Sequence, residues 1–362
     1  MNLKDKTWAG GLANASLGTS TDIEIVCSVN TDFTEWFLPS VYLVVSLLGL
    51  LGNGLGLWNL CVSSWKSGWS TLSVLMCNLS VADLLYVITL PFLVSYYLQG
   101  RMWLFGKEWC RMTRALFHLN LYASIGFLTC ISVHRYLGIV HPLRMLGRCQ
   151  TLSPAFWLSI LVWGWVILQL SPDFVFSKMD QTGTRCHDTT GHENLSTYLP
   201  YTLAITMSGF VIPFLIIIGC YCHVVVALRR NSNVDPNLKR RSIRLAVLVM
   251  VLFSVCFLPY HVFRNLNLLS RKWQLQGSCT QTLKNIYVCY QVTRGLASLN
   301  SSLNPLLYLT ANEDLGTRLK AFCHRVIHIL GSLLQSRAHH SSDPKKLSIM
   351  LNEECEEASD DL

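Results

Sequence analysis

Charge is what this chain of 362 residues has least of. Only 14% of its residues are charged, where a soluble globular domain usually carries about 25%, so a soluble-enzyme reading starts at a disadvantage. The constellations of covalent chemistry are missing too: there is no G-x-S-x-G elbow, no P-loop and no H-E-x-x-H pair. The 14 cysteines include no C-x-x-C pair and no zinc-finger spacing with histidines. Most of them, such as Cys61, Cys77, Cys130 and Cys256, sit in apolar runs and behave as small hydrophobes. Residues Met1 to Glu35 hold no long apolar run, so no cleavable leader is expected. The two halves of the chain do not mirror each other as a transporter's often do.

Apolar residues are abundant instead, at 51%, with a mean hydropathy of +0.37. They gather into seven runs: Leu38 to Val62, Leu72 to Tyr97, Thr113 to Val140, Ala155 to Phe176, Tyr198 to Leu228, Ile243 to Leu269 and Ile286 to Leu309. About 20 helical residues cross a hydrocarbon core. Lipid offers no partner to an open backbone group, so each run is expected to be a helix. The runs do not alternate polar and apolar, which removes a strand barrel. The expected fold is an all-α membrane protein, a seven-helix bundle over 38–310 with an N-terminal segment 1–37. Residues 311–362 are expected to hold a short amphipathic helix from about Glu313 to Phe322 and a disordered acidic tail.

The net charge of +8 could suit nucleic acid, a membrane surface or an anionic ligand; position decides. The loops and tail carrying Lys66, Arg135, Arg144, Arg148, Arg229, Arg230, Lys239, Arg240, Arg241 and Arg244 hold 16 of the 29 basic residues, against ten on the other side. Basic loops stay in the cytoplasm, which predicts a cytoplasmic C-terminus, an extracellular N-terminus and no nucleic-acid partner. Asn14-Ala15-Ser16 and Asn194-Leu195-Ser196 are glycosylation acceptors on the side read as outside.

Polar and proline features recur inside the apolar runs. The first has Gly52-Asn53, the second Asn78-Leu79-Ser80-Val81-Ala82-Asp83, the fourth Trp163, and the fifth Pro213 with Tyr221. The third ends His134-Arg135-Tyr136, the sixth contains Cys256-Phe257-Leu258-Pro259, and the seventh ends Asn304-Pro305-Leu306-Leu307-Tyr308. Any one could be a helix-packing group. In this order and spacing they resemble the rhodopsin-like G-protein-coupled receptors over about Leu38 to Phe322. Two positions depart from that pattern, His134 for the usual acidic residue and Phe257 for the usual tryptophan. At the other end of the bundle stand Cys110, Arg114, Phe117, His118 and Tyr122, and after the fourth run Cys186-His187-Asp188-Thr189-Thr190. The sixth run adds Tyr260-His261-Val262-Phe263-Arg264-Asn265-Leu266-Asn267, and the seventh Tyr290-Gln291-Val292-Thr293-Arg294. These look like the metabotropic purinergic nucleotide receptors, nearest the adenine-nucleotide, phospholipase-C-coupled branch. Arg264 stands where several members carry lysine.

The residues also speak without the resemblance. A charged side chain inside a membrane helix costs roughly 2.5–3.5 kcal/mol on insertion scales and usually has a partner or a function. Arg114, Arg264 and Arg294 lie near the outer ends of the third, sixth and seventh runs. Snorkelling to lipid headgroups is the competing account, better for Arg114 than for Arg294. Cys110, Arg114, His118 and Tyr122 recur every four residues, His261, Arg264 and Asn267 every three, and Tyr287, Tyr290 and Arg294 at three and four, so each set shares a helical face. Guanidinium forks bind phosphate and tyrosines offer stacking faces, which suits a small polyanion with an aromatic end. A cationic amine would want a carboxylate where Phe117 stands, and a retinal Schiff base a lysine midway along the last helix, where there is none.

The resemblance implies a plasma-membrane receptor, not an enzyme, for an extracellular nucleotide, ADP or ATP favoured. Its binding set would be Arg114, His118, Tyr122, Asp188, His261, Arg264, Asn267, Tyr287, Tyr290, Gln291 and Arg294. It implies disulfides Cys110–Cys186 and Cys27–Cys279. It also implies activation through His134, Arg135, Tyr136, Tyr221, Phe257, Pro259, Asn304, Pro305 and Tyr308, with a heterotrimeric G protein of the phospholipase-C-activating class as partner. No organic cofactor is expected; Asp83, Ser124, Asn300 and Asn304 would form a sodium pocket, the alternative being a carboxylate hydrogen-bonded between helices. Cys323 is a candidate for palmitoylation. Two rivals stay open here: a receptor for another small anion, and a seven-helix channel or transporter.

Overall fold

The computed structural model describes residues 32–141, 153–176, 178–179, 183–191, 194–230, 236–278 and 280–307. Among them the regular structure is helical, apart from one isolated antiparallel bridge between Met179 and Cys186. Six helices are long and apolar enough to cross a membrane. We label them α1 (Asp32–Ser67), α2 (Thr71–Val87 and Leu90–Leu98), α3 (Gly106–Val140), α4 (Ser153–Leu170), α5 (Leu195–Thr206 and Ile212–Arg230) and α6 (Pro236–Leu252 and Leu258–Leu275). The seventh, α7 (Gln281–Leu303), has 23 residues, about 34 Å at 1.5 Å per residue. It is less apolar because its inner face buries Gln291, Thr293, Arg294, Ser298, Asn300 and Ser301.

Two helices start ahead of their apolar runs. α1 is already helical at Asp32, where the described residues begin and six residues before Leu38, with Asp32 and Glu35 in its first described turn, and α3 begins at Gly106, before Thr113, with Glu108 in its first turn. Acidic groups there complement the helix macrodipole, so the helix outlasts the hydrophobic signal. Three helices break at prolines. α2 stops at Val87 and resumes at Leu90 with Pro91 in its first turn, and the Thr89 hydroxyl donates to Tyr86 O at 2.7 Å. α5 passes through a π-turn at Met207–Val211 ahead of Pro213, and α6 through one at Phe253–Phe257 ahead of Pro259. A proline takes a donor out of the i to i−4 ladder, and a wide turn absorbs the mismatch.

The bundle is pinned by polar groups that lipid would punish if left open. The Asn53 side-chain amide donates to Gly49 O at 2.9 Å and across to Ser301 O on α7 at 2.7 Å. Asn78 donates to Ser159 on α4 at 3.2 Å and accepts from the Trp163 indole at 2.9 Å. A Cβ at Gly52 would stand 2.8 Å from Pro305 Cγ, so α1 and the end of α7 approach as closely as glycine allows. α3 runs through the middle, against α2, α4 and α5. α1 and α4 turn Leu47, Leu51, Trp58, Phe156, Leu161 and Trp165 outward, as a lipid-facing surface requires. The short helix expected over Glu313 to Phe322, the tail, Cys27, Cys279, Cys323, Asn14 and Tyr308 lie outside the described residues.

Candidate ligand site and its polar layers

Cys110, at the head of α3, is disulfide-bonded to Cys186, with the two Cα atoms 5.8 Å apart. The loop before α5 is folded tightly on this anchor: His187 N donates to Lys178 O at 2.6 Å, and Trp103 N to Thr184 O at 2.8 Å. Two residues past the bridge, the loop delivers Asp188 into the bundle. Its carboxylate pairs with Arg114 at 3.0 Å and with Arg294, and accepts from the Gln291 amide at 3.2 Å. Burial would raise the carboxyl pKa, but Arg294, Arg114 and Gln291 together hold it well below the usual carboxylate range.

The arginines are engaged on their other sides as well, although Arg114 Nε is buried without an acceptor. Arg294 donates to the Tyr42 hydroxyl at 2.7 and 2.9 Å, to Tyr97 at 2.7 Å and to Gln291 Oε1 at 3.1 Å. Arg114 donates to Cys186 O at 2.9 Å. Both are almost wholly buried, which disposes of snorkelling as an account of either. Two guanidiniums share one carboxylate, so this layer keeps one positive charge in excess.

A cavity of about 210 Å³ adjoins it. Asp188, Asn267, Tyr287, Tyr290 and Gln291 from the expected set line its wall, together with Tyr96, Tyr97, Cys186, His187, Thr189 and two further cations, Arg101 and Arg271. Arg101 donates to the Thr34 hydroxyl at 2.6 Å and the Tyr287 hydroxyl at 2.8 Å. Arg271 donates to the Thr189 hydroxyl and to Thr190 O, both at 2.9 Å. Arg114, His118, Tyr122, His261, Arg264 and Arg294 are not in that wall.

Four of those six form a second layer one helical turn deeper along α3. Arg264 donates to the Tyr122 hydroxyl at 2.9 Å and the Tyr198 hydroxyl at 3.2 Å. Tyr198 in turn donates to Asp173 at 3.1 Å. Asp173 also holds Lys178 at 2.6 Å and His118 Nδ1 at 3.0 Å, and the other His118 nitrogen lies 3.5 Å from the Tyr260 hydroxyl. Burial pulls the Lys178 ammonium pKa down and Asp173 only partly restores it. His261 stacks on Phe210 at 4.4 Å between centroids, and neither ring nitrogen has a hydrogen-bond partner.

Sequence reasoning misses Asp173, Lys178, Tyr42, Tyr97 and Tyr198, and sees Arg101 and Arg271 only as loop charges. The cost of a charge in an apolar run could have flagged Asp173, which follows Pro172 at the end of α4. Nothing in the spacing pairs it with Lys178.

Midway down the bundle Asp83 accepts from the Asn120 amide at 2.8 Å and the Asn304 amide at 2.9 Å, while Ser301 donates to Asn120 at 3.0 Å. Asp83 hydrogen-bonds neither Ser124 nor Asn300, yet each lies one helical turn from an amide that it does. Ser124 Oγ, Asn300 Oδ1, Asn304 Oδ1 and Asn53 Oδ1 are buried without partners. One carboxylate among orphaned oxygens fits a small hard cation, which takes oxygen ligands. Asn120 and Ser301 are additions to the expected set.

At the far end, the Tyr221 hydroxyl lies 2.9 Å from Ser132 Oγ. The Tyr136 ring meets His141 and His223 edge-on at 5.8 and 5.9 Å, and His134 Nδ1 has no hydrogen-bond partner. Phe257 is fully buried against Phe253, 5.1 Å between centroids, directly below Pro259. Asn194 lies in the turn that opens α5.

Comparison with known proteins agrees with this architecture. Residues 52–308 match the family described as 7 transmembrane receptor (rhodopsin family). The chain is 43% identical over 319 residues to the Y-type purinoceptor 1 of Meleagris gallopavo, covering 86% of this chain and 84% of that one. It is 38% identical over 339 residues to the Y-type purinoceptor 1 of Homo sapiens, covering 92% and 89%. With the Y-type purinoceptor 4 of Xenopus laevis it shares 38% identity over 336 residues, covering 91% and 61%.

Proposed function

Because the chain belongs to the rhodopsin family of seven-transmembrane receptors, and among them to the Y-type purinoceptors, we propose that it senses an extracellular nucleotide, with adenine di- or triphosphate favoured. It is a receptor and not an enzyme, and a multi-pass membrane protein of the cell surface. In this reading the N-terminus and the disulfide end face outward and the Arg135 end faces a G protein of the phospholipase-C-activating class. The observation that carries the reading is the cavity walled by Arg101, Arg271 and tyrosines, set against the cationic Arg114–Asp188–Arg294 layer.

A polyanion leaving water needs paired charge, or desolvation wins. Here the pairing exists before the ligand arrives, in Asp188, which acts as an internal stand-in for the phosphates. A nucleotide therefore binds by exchange: phosphate oxygens take over donors that Asp188 and the tyrosine hydroxyls hold at rest. Tyrosine rings offer the base a stacking surface. The exchange reaches α6 through Arg264, which ties α6 to Tyr122 on α3 and Tyr198 on α5. α6 pivots at the π-turn ahead of Pro259. The ligand biases the equilibrium only by its difference in affinity for the two helix arrangements.

Sodium fits the Asp83 layer. Asp83, Ser124, Asn300 and Asn304 would hold it, and its charge would offset the buried carboxylate. The test of the function is a calcium record from cells lacking endogenous nucleotide receptors, against adenine and uridine di- and triphosphates. Micromolar adenine-nucleotide responses are expected. Silence to every nucleotide at normal surface expression would refute the reading.

A further inference from the structure

Of the two cations in the cavity wall, Arg101 is the one held in a left-handed backbone conformation. It closes the turn after α2 with φ 66°, following Gly100 at φ 63°. A non-glycine residue in that left-handed region is uncommon and strained, so the surrounding structure must hold it there. The holding contacts are at hand: Arg101 N donates to Tyr96 O at 2.9 Å, and Nη2 alone serves both the Thr34 and Tyr287 hydroxyls. Its Nε, like that of Arg114 and Arg264, is buried without an acceptor, and among the described residues no carboxylate forms an ion pair with it, Asp188 acting on it only at longer range. Arg114 and Arg294, by contrast, share Asp188. A guanidinium fixed in a cavity wall, strained in its backbone, short of a counter-ion and with a donor to spare is built to receive an anion.

Its height selects which anion. Arg101 is tied to Thr34 in the first turn of α1 and to Tyr287 on α7. Tyr287 lies two turns, about 10 Å of helix rise, outward of Arg294 on the same face of α7. The guanidinium carbons of Arg101 and Arg294 lie 5.9 and 5.8 Å from the centroid of the one Tyr97 ring, so a phosphate chain anchored at the Arg294 layer meets Arg101 with its outer end.

We propose that Arg101 is the contact for the distal phosphate of a three-phosphate chain, and that it sets the preference of this receptor for nucleoside triphosphate over diphosphate. The proposal rests on the nucleotide reading above and sharpens it.

The test uses the full chain, purified into lipid nanodiscs. Thermal stabilisation is titrated with ATP and ADP, and in parallel with inorganic triphosphate and pyrophosphate. In Arg101→Gln the half-stabilising concentration of ATP should rise at least ten-fold and that of ADP by less than three-fold. Arg101→Lys should fall between, since charge survives and the planar donors do not. A ten-fold or greater shift shared equally by ATP and ADP would overturn the proposal and leave Arg101 a structural strut. No shift for either, or no stabilisation of the parent by any of the four probes, would also overturn it. If inorganic triphosphate stabilises the parent in an Arg101-dependent way while neither nucleotide does, the nucleotide reading fails and the Arg101 phosphate site stands.

Discussion

The Asp188 layer and the Asp83 layer are built from the same kind of part, a buried carboxylate, and are opposite in sign. Around Asp188 stand two guanidiniums and an amide, leaving one positive charge in excess. Around Asp83 stand amides and hydroxyls and, among the described residues, no paired cation, with several oxygens and the Asn300 amide nitrogen unpartnered. Neither layer is balanced by the protein alone, and burial makes each imbalance costly. In the proposed reading the first takes an anion and the second, with its carboxylate ionised, a cation. The sign of the uncompensated charge, more than the identity of any one residue, says what class of ligand a buried polar layer accepts.

The sharpest way to break this comparison is to remove the carboxylate that the upper layer supplies to itself. Asp188→Ala leaves Arg114 and Arg294 facing each other uncompensated, and breaking a buried pair typically costs about 3–5 kcal/mol. The unliganded variant should melt well below the parent, and millimolar inorganic triphosphate should recover more stability in it than in the parent. Equal recovery in both would mean that phosphate and Asp188 do not share donors. The pH dependence has a definite sign. A carboxyl held below its unfolded value, about 3.9, contributes stability that is complete above that value and is lost as pH falls through its folded pKa. The gap between Asp188→Asn and parent melting should thus be flat from about pH 5 to 8 and close only below about pH 4.

Next in size are the arginines. Removing one partner of a buried, hydrogen-bonded charge pair costs about 2–5 kcal/mol, roughly thirty-fold to several thousand-fold in agonist potency at 1.4 kcal/mol per factor of ten. Arg294→Ala should be the most severe, because Arg294 serves Asp188, Gln291, Tyr42 and Tyr97 at once. Dose–response curves normalised to surface antibody signal decide it: shifts under three-fold for Arg114→Ala, Arg264→Ala and Arg294→Ala alike would remove the anion site.

Much of this is legible in the sequence, and the gaps have physical reasons. Seven apolar runs dictate seven helices because lipid forbids open backbone, and the motifs from Asn53 to Pro305 fall where helices touch. The charge cost picks out Arg114, Arg264 and Arg294 because an arginine in an apolar run is conspicuous. Spacing does not reveal their partners, since Tyr42, Tyr97 and Tyr198 are unremarkable in a membrane helix and Asp188, which only the resemblance brings into the expected set, belongs to a loop whose path the disulfide determines. Arg101 and Arg271 look like loop charges until the fold turns them inward. The helical turns ahead of Leu38 and Thr113 escape a hydropathy reading, because charge rather than hydrophobicity extends the helix there. The breaks at Val87, Met207 and Phe253 need prolines and their neighbours in three dimensions, not a count of apolar residues.

The lower layer offers a milder perturbation. If Asp83 and the orphaned oxygens hold sodium, replacing potassium by sodium at ten times the dissociation constant should raise stability by about 1.4 kcal/mol. Asp83→Asn should abolish that sodium increment, as melting curves in matched salts would record. An increment surviving in Asp83→Asn would leave the carboxylate as a helix-packing group only and break the symmetry of the two layers.

A conservative substitution separates the two cationic layers of the outer half. Arg264 meets neutral phenols, with Asp173 reached only through Tyr198, whereas Arg294 meets a carboxylate directly. Exchanging arginine for lysine keeps the charge and removes the planar fork. At Arg264 the substitution sacrifices one charge-assisted bond to a phenol, worth about 1.5 kcal/mol at the low end of such bonds, or roughly ten-fold in potency. At Arg294 an ammonium cannot reach Asp188, Gln291, Tyr42 and Tyr97 together, so several charge-assisted bonds fail at once and the loss should be at least ten-fold greater. The pair of lysine variants, read by nucleotide potency at matched surface expression, ranks the layers directly. A larger loss at Arg264 than at Arg294 would move the phosphate site one turn deeper, from Asp188 to the Tyr122–Tyr198 layer.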